Sequence, residues 1–266
     1  MAEIRVNGVT LYYEEHGAGE PIVCLHGAGS SSALWADAAA VLAGRGRVIV
    51  YDRRGYGRSE RPEPFVTDVH EHADDAAALI DALEAAPATV IGRSKGGEVA
   101  IDLALRYPDR VGALALLEGG PESLSAAASK WLAGLKEQVF AAAAKDPSTV
   151  GETIIRGVLG EQAWEHFPEP IREIFTANGP AIVAELRSGS LDVSREELAG
   201  IAQPVLLVAG EDSLPAFKEV TFVMAGAMPT ARVEWIAGGH LIDPAHPAVL
   251  AFLDEVLAVG RQAAAG

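Results

Sequence analysis

The chain has 266 residues, of which 49% are hydrophobic and 22% charged, enough for one domain with a large core or for one domain with an insertion. Its 21 Lys and Arg against 37 Asp and Glu give a net charge of −16, which repels nucleic-acid phosphates and anionic lipid surfaces. The single cysteine, Cys24, lies in an apolar run and is expected in the core. With no signal-like or bilayer-length segment, we expect a cytoplasmic protein, monomeric or homodimeric, with neither nucleic-acid nor membrane partners.

Strand patterns begin with two segments, 3–6 and 9–15, that flank Asn7-Gly8, the strongest short hairpin signal. Helical spacing of apolar residues predicts helices at 31–43, 67–85, 97–106, 215–228 and 246–259. Short apolar runs between them predict strands at 22–25, 47–51, 88–91, 111–118, 205–210 and 232–236. Strands that alternate with helices form a parallel sheet covered on both faces, so we predict a doubly wound α/β domain of about eight strands.

The alternation stops between residues 121 and 199. This stretch reads as consecutive helices with breaks at proline-containing turns, so we predict a helical cap inserted into a core formed by 1–120 and 200–266. Its aromatic residues need apolar surface to bury against. Most of them are expected to hold the cap to the core, and a few, with Trp131, Trp164 and Phe167 as candidates, to line a substrate pocket.

Residues 92–97 read GRSKGG, between an apolar strand and a helix. A strand that reverses into a helix within two residues needs glycine on both sides of the turning residue, because a side chain there collides with the turn. This is the pattern of a nucleophile elbow, which presents Ser94 at the carboxyl edge of the sheet beside the N–H groups of a helix start.

A serine nucleophile requires a histidine base. His240 follows two glycines directly after a strand, at the same sheet edge as Ser94, and is the preferred candidate; His246, at a helix start, is the main rival. His26 is expected to brace a loop. The others are expected at the surface or at helix ends, namely His16, His70, His72 and His166.

Taken together, these motifs resemble the α/β-hydrolase family over nearly the whole chain. The sequence HGAG at 26–29 is similar to its oxyanion loop, and DRRGYGRS at 52–59 to its turn after the next strand. Ser94 and His240 match its nucleophile and base. The resemblance implies an oxyanion hole made by the backbone N–H groups of Ala28 and Lys95. Asp52 and the arginines after it are expected to have a structural role.

The acid departs from the common pattern. Most of the family places an aspartate three residues after the glycine that ends the seventh strand, and here that position is Ser213, with Asp212 one residue early. Glu118 ends the sixth predicted strand, where a minority of the family, including zearalenone-type lactonases, carries its acid as glutamate. A carboxylate that emerges from an apolar strand must be bonded or paired. We therefore expect Glu118 to be the acid, with Asp212 as the alternative and a structural role for Glu118 also open.

The resemblance thus implies a serine hydrolase of small to medium, largely apolar carboxylic esters or lactones, working through an acyl-enzyme without cofactor or metal. The same triad also serves C–C lyase chemistry or perhydrolysis, and a ligand sensor with slow turnover is a further alternative. Two cations, Arg93 and Lys95, flank Ser94. We expect both to form ion pairs, with attraction of a substrate carboxylate as the alternative.

Overall fold

An eight-stranded sheet lies at the centre of the computed structural model, which describes residues 2–265 and, in the last helix, side chains through 258. Its order is β1-β2-β4-β3-β5-β6-β7-β8, with β2 antiparallel to both of its neighbours and all other pairs parallel. The predicted doubly wound α/β sheet of about eight strands is confirmed. The strands are β1 (Ala2–Val6), β2 (Val9–His16), β3 (Pro21–Leu25), β4 (Arg47–Tyr51), β5 (Ala88–Arg93), β6 (Val111–Leu117), β7 (Val205–Gly210) and β8 (Ala231–Ile236).

The first two strands form the predicted hairpin. Val6 pairs with Val9, and the two residues between them, Asn7 and Gly8, have φ of 44° and 77°. A two-residue turn with positive φ at both positions matches the right-handed twist of the strands, which is why asparagine followed by glycine predicts it.

The helices lie close to the predicted segments, with differences at several of their starts. α2 begins after Asp68, whose carboxylate accepts the Glu71 N–H at 2.8 Å. Segment 31–43 is divided between a 3-10 turn, Ser32–Trp35, and α1, and the Ser32 N–H at the start of the turn donates to Asp52 at 2.6 Å. The helices are α1 (Ala36–Leu42), α2 (Val69–Ala82), α3 (Lys95–Arg106), α4 (Ala126–Lys145), α5 (Val150–Leu159), α6 (Ala163–His166), α7 (Glu169–Ala177), α8 (Gly179–Ser188), α9 (Arg195–Ala199), α10 (Pro215–Ala227) and α11 (Pro247–Ala265).

Two apolar layers cover the sheet. Successive side chains of a strand point to opposite faces, so Val23 and Leu25 of β3 pack with α2, α3 and α10, whereas Ile22 and Cys24 pack with α1 and α11. Cys24 is 1% exposed, as expected of a core residue. No helix of the described residues is long and apolar enough to cross a membrane.

The segment between β6 and β7 is helical, and residues 121–199 contain no strand. Helices α4, α5, α7 and α8 share an apolar cluster of their own, and Ala28 of the core packs against it. The approach is close: a Cβ added to Gly29 would lie 2.7 Å from a ring carbon of Phe175 in α7. The helical segment therefore lies over the loop at 26–30, next to the carboxyl edge of the sheet.

Candidate active site

Ser94 makes the whole turn between β5 and α3. Its φ of 52° and ψ of −124° lie in a region that residues with a side chain rarely adopt. The flanking positions accept only glycine, because a Cβ on Gly92 would lie 2.5 Å from the carbonyl oxygen of Gly96, and a Cβ on Gly96 would overlap the carbonyl oxygen of Leu25. The turn holds Ser94 at the carboxyl end of a central strand, beside the first residues of α3.

His240 and Glu118 form a buried hydrogen-bonded pair. His240 Nδ1–H donates to Glu118 Oε2 at 2.8 Å, and the other carboxylate oxygen accepts the N–H of Gly210 at 2.6 Å. Glu118 has a φ of 43° and follows β6, so the same edge of the sheet supplies Ser94 and Glu118. A carboxylate can only accept a hydrogen bond, so we assign the proton to Nδ1, which leaves Nε2 of His240 as the basic nitrogen.

Ser94 and His240 line one pocket, together with Arg93 and apolar side chains from α5 and α7. The ring of His240 is held from the other side by Phe217 of α10, which stacks on it with ring centroids 4.4 Å apart. Within the described side chains, the Ser94 hydroxyl forms no hydrogen bond with His240. Proton transfer between them therefore requires Ser94 Oγ and His240 Nε2 to approach each other.

Ala28 and Lys95 line one pocket together with Ser94. A Cβ added to Gly27 would lie 3.2 Å from Ser94 Cβ, so the loop that carries Ala28 touches the nucleophile turn. Lys95 is the first residue of α3, and the first N–H groups of a helix have no acceptor in a preceding turn. Two such donors beside a nucleophile suit the stabilisation of a developing oxyanion.

The two cations beside Ser94 differ. Lys95 Nζ donates to Glu98 Oε1 at 2.9 Å and to the Gly189 carbonyl at 2.8 Å, so the expected ion pair of Lys95 is present. Arg93 forms no ion pair with any described residue, so the expectation of pairing is wrong for Arg93. The carboxylates considered for it are taken: Glu98 accepts from Lys95, and Asp102 from Arg106 at 3.1 Å.

No group of three or more His, Cys, Asp or Glu residues in the described part of the chain is placed to hold a metal ion.

Residues 20–242, most of the chain, match a family model described as the α/β hydrolase fold. The chain belongs to the α/β-hydrolase fold family. Several relatives carry hydrolase names, and the same fold appears in solved structures over nearly its full length.

Among those relatives is RutD of Azorhizobium caulinodans, whose name as a carbamate hydrolase is provisional; it is 30% identical over 260 residues, which cover 90% of this chain and 91% of RutD. Est816, described as an N-acyl homoserine lactone degrading enzyme, is 28% identical with a TM-score of 0.65, covering 96% of this chain and 99% of Est816. A thermophilic esterase from Thermogutta terrifontis has a TM-score of 0.78 at 24% identity, covering 98% of this chain and 99% of the esterase, and shows the shared fold.

In this α/β hydrolase Asp212, the alternative candidate for the acid, does not contact His240 by a hydrogen bond. Asp212 is exposed, its backbone N–H donates to the Gly238 carbonyl at 2.9 Å, and its carboxylate makes no hydrogen bond to His240 within the described residues. Ser213, at the position where most of the family has aspartate, is buried, and its hydroxyl has no hydrogen-bond partner among the described side chains. The rival base, His246, accepts the Ala248 N–H at 3.2 Å and thereby caps α11.

A buried network behind the loop at 26–30 was missed from the sequence. Arg53 is fully buried and paired with Glu185 of α8 at 2.5 Å, and its guanidinium also donates to the carbonyl oxygens of His26 and Gly27. The expectation that His72 lies at the surface or at a helix end is wrong. It is fully buried with Nε2 3.4 Å from Glu185, because α2 turns this face toward the network. Burial and the Arg53 charge lower the pKa of His72.

His26 braces the loop, as expected. Its Nδ1 lies 2.8 Å from the Gly27 carbonyl oxygen, and its Nε2 accepts the Arg53 N–H at 2.9 Å. Complete burial, together with the nearby Arg53 charge, holds the pKa of His26 well below its usual range. The imidazole is therefore neutral, and it fixes the backbone that leads to Ala28.

Asn178 is a second tie that the sequence did not reveal, since its segment reads only as a break before a proline. Its amide donates to the carbonyl oxygens of Gly29 and Ser30 at 2.9 and 3.0 Å, and its oxygen accepts the Gly57 N–H at 3.0 Å. The helical segment is thereby fastened to the loop at 26–30 and to the turn at 52–59.

Of the three aromatic candidates for the substrate pocket, one lies beside the nucleophile. Trp131 lines a second pocket that also contains Ser94, and it packs edge-on against Phe217 at 4.8 Å. Phe167 lines a neighbouring, more open pocket with His240 and stacks on Phe175. Trp164, on the short helix α6, lines neither pocket beside Ser94 and packs against the apolar cluster of the helical segment.

Proposed function

We propose that this α/β hydrolase is a cofactor-independent serine hydrolase of carboxylic esters or lactones. The observation that carries the proposal is the buried pair of His240 and Glu118, at 2.8 Å, in the pocket that contains Ser94. A histidine held in one tautomer by a carboxylate, beside a serine on a strained turn, is the arrangement that activates an alcohol for acyl transfer.

In the first half-reaction Ser94 Oγ attacks the acyl carbon while its proton passes to His240 Nε2. The carbonyl π-electrons move to the oxygen, which accepts from the N–H groups of Ala28 and Lys95. When the intermediate collapses, the bond to the alkoxy oxygen breaks and that oxygen takes the proton from Nε2. Glu118 stays ionised throughout and balances the charge of the imidazolium.

Water completes the cycle. His240 removes a proton from a water molecule that attacks the acyl-Ser94 carbonyl, and the same proton returns to Ser94 Oγ as the acid leaves. In a lactone the alcohol and the acid belong to one molecule, so the product is a single hydroxy acid. The mechanism consumes one water molecule for each ester bond and needs no redox partner.

Two relatives support this substrate class. Est816 is described as degrading an N-acyl homoserine lactone, and RutD carries a provisional carbamate hydrolase name; both descriptions name compounds whose acyl carbons are bonded to a heteroatom. The pockets on either side of Ser94 are lined mainly by apolar side chains of the helical segment. They suit a largely apolar small molecule with one acyl group held at Ser94.

We propose further that residues 121–199 act as a cap over a core formed by 1–120 and 200–266. The two cavities beside Ser94 have volumes of about 60 and 50 Å³, whereas small-molecule pockets span about 300–1,000 Å³. Helices α4 and α5 supply Trp131, Leu135 and Ile154 to these walls, so their displacement enlarges the site for a medium-sized ester.

The proposal is tested by labelling with a fluorophosphonate probe, followed by peptide mapping. We expect one labelled residue, Ser94, and no labelling of Ser94→Ala. Turnover is then measured on p-nitrophenyl esters of increasing acyl length, on several lactones and on an aryl carbamate. A label absent from Ser94, or ester and lactone hydrolysis retained by Ser94→Ala, would overturn the mechanism.

A further inference from the structure

The pocket of Ser94 and His240 contains a cation that the protein does not neutralise. Arg93 precedes the nucleophile and lines this pocket, and no described residue accepts a hydrogen bond from its five guanidinium N–H donors. The other side chains of the pocket are mostly aliphatic or aromatic. The polar ones besides Arg93 are Ser30, Ser94 and His240.

Lys95, which follows Ser94 in the chain, differs from Arg93 because its charge is paired within the protein. Its ammonium donates to a carboxylate and to a backbone carbonyl. Among the described residues, Asp243 is the charged neighbour of Arg93, and the two side chains form no ion pair; the Asp243 carboxylate accepts the Ala245 N–H at 2.8 Å. The guanidinium lies 5.5 Å from the centre of the Trp35 ring, which supports its planar face but accepts no hydrogen bond in the plane.

The guanidinium is only partly buried, so its N–H groups still reach solvent, and among the described residues no acceptor competes with an incoming anion for them. Burial lowers the pKa of Arg93, which still leaves it charged at neutral pH. The whole chain, at −16, gives no long-range attraction for anions. Capture of an anion at this point therefore depends on short-range contact with Arg93, whose planar fork matches the two oxygens of a carboxylate.

We infer that Arg93 binds a carboxylate of the substrate, so that the preferred substrates are esters or lactones that carry a free carboxylate a few carbon atoms from the reacting carbonyl. The inference rests on the proposed function and narrows its substrate class. Arg93 and Ser94 are neighbours in the chain and line one pocket, so a short dicarboxylic monoester spans the two side chains. The aliphatic walls contributed by Ile154 and Val158 then cover its methylene groups.

Matched substrates test the inference directly. Monomethyl glutarate and monomethyl adipate are compared with methyl valerate and methyl hexanoate, which lack the carboxylate, and acid release is followed in a pH-stat. The enzymes are the wild type, Arg93→Met, which keeps the length of the side chain without its charge, and Arg93→Lys, which keeps the charge without the fork. Arg187→Met removes one exposed positive charge elsewhere and serves as the control.

We expect the wild type to prefer the carboxylate esters over the neutral esters in kcat/KM by at least tenfold. In Arg93→Met this preference falls at least tenfold, mainly through the KM of the carboxylate esters. Arg93→Lys is expected to lie between the two, and Arg187→Met to match the wild type. Neutral esters hydrolysed with an unchanged substrate preference in Arg93→Met would overturn the inference and leave the proposed function standing.

Binding without turnover gives an independent readout. Glutarate is titrated into Ser94→Ala and into Ser94→Ala/Arg93→Met by calorimetry. We expect binding to the first protein that is weakened at least tenfold in the second. Equal binding of glutarate to both proteins would contradict the role of Arg93, whereas an enzyme that hydrolyses none of the esters but binds glutarate through Arg93 would contradict only the proposed ester chemistry.

Discussion

Replacing Glu118 by glutamine tests the assignment of the acid, because the carboxylate accepts two hydrogen bonds that a single amide cannot both accept. One oxygen accepts from Gly210 at 2.6 Å and the other from His240 at 2.8 Å. Glutamine offers one acceptor and one NH₂ donor. Whichever way the amide is turned, one of these two partners therefore meets a donor.

With the amide oxygen toward Gly210, the NH₂ group faces His240 and favours the tautomer protonated at Nε2, which cannot take the proton of Ser94. The corresponding change in serine proteases lowers kcat by about 10⁴, equivalent to about 5.5 kcal/mol at about 1.4 kcal/mol per tenfold step. With the amide turned the other way, two N–H donors face each other in a buried site, which costs about 1–3 kcal/mol of stability. We therefore expect Glu118→Gln to lose about 10³- to 10⁴-fold in kcat, with a modest loss of stability.

The assay measures kcat on p-nitrophenyl esters and lactones, with circular dichroism to confirm that the variants are folded. Asp212→Asn is the matched control, since Asp212 is exposed and does not bond to His240, and it should stay within about twofold of the wild type. The opposite result, in which Asp212→Asn loses orders of magnitude and Glu118→Gln does not, would refute the assignment of Glu118.

Three further predictions concern the scaffold of the site. Gly97→Ala should lower the free energy of unfolding, measured in urea, by about 1–3 kcal/mol and reduce kcat, because the added Cβ would overlap the backbone of Gly119. Gly134→Ala is the control: its added Cβ would meet no atom within 4 Å, so the variant should be as stable as the wild type. Asn178→Ala should lower the free energy of unfolding by about 3 kcal/mol and kcat by about tenfold, because the carbonyl oxygens of Gly29 and Ser30 lose the buried amide that donates to them. An unchanged kcat would contradict the link between Asn178 and the loop at 26–30. In the folded protein the pKa of His26 is held below its unfolded value of about 6.5, so on acidification the unfolded state binds the proton first. The free energy of unfolding should therefore fall below about pH 6.5 by about 1.4 kcal/mol per pH unit for this histidine. A free energy of unfolding, measured in urea, that stays constant down to pH 5 would contradict this prediction.

Much of the fold followed from local patterns. Asn7-Gly8 predicts its hairpin because few other residues adopt positive φ at both turn positions. The GRSKGG elbow is readable for the same kind of reason, since Gly92 and Gly96 have no room for a Cβ. Glu118 was a sound candidate because a carboxylate at the end of a buried strand needs a partner, and the structure provides His240.

The features that the sequence did not predict depend on contacts between residues that are far apart in the chain. Arg53 and Glu185 are 132 positions apart, and nothing in either local sequence indicates that they pair in the interior. His72 sits in a helix with polar neighbours, so its burial follows only from how α2 is rotated against the core. Arg93 was expected to form an ion pair because carboxylates lie nearby in sequence, yet α3 directs those carboxylates to Lys95 and Arg106 instead.

The attachments of the helical segment are unevenly distributed along it. Asn178, Glu185 and the Leu191 N–H, which donates to Glu98 at 2.6 Å, fasten its later part to the core by polar contacts. For residues 150–177, the described side chains make hydrogen bonds only within the segment, and their contact with the core is apolar. Separating two apolar surfaces leaves no buried charge without its partner, whereas breaking a buried ion pair does. We therefore expect access to Ser94 to open on the side of α5, while the later part of the segment stays attached to the core.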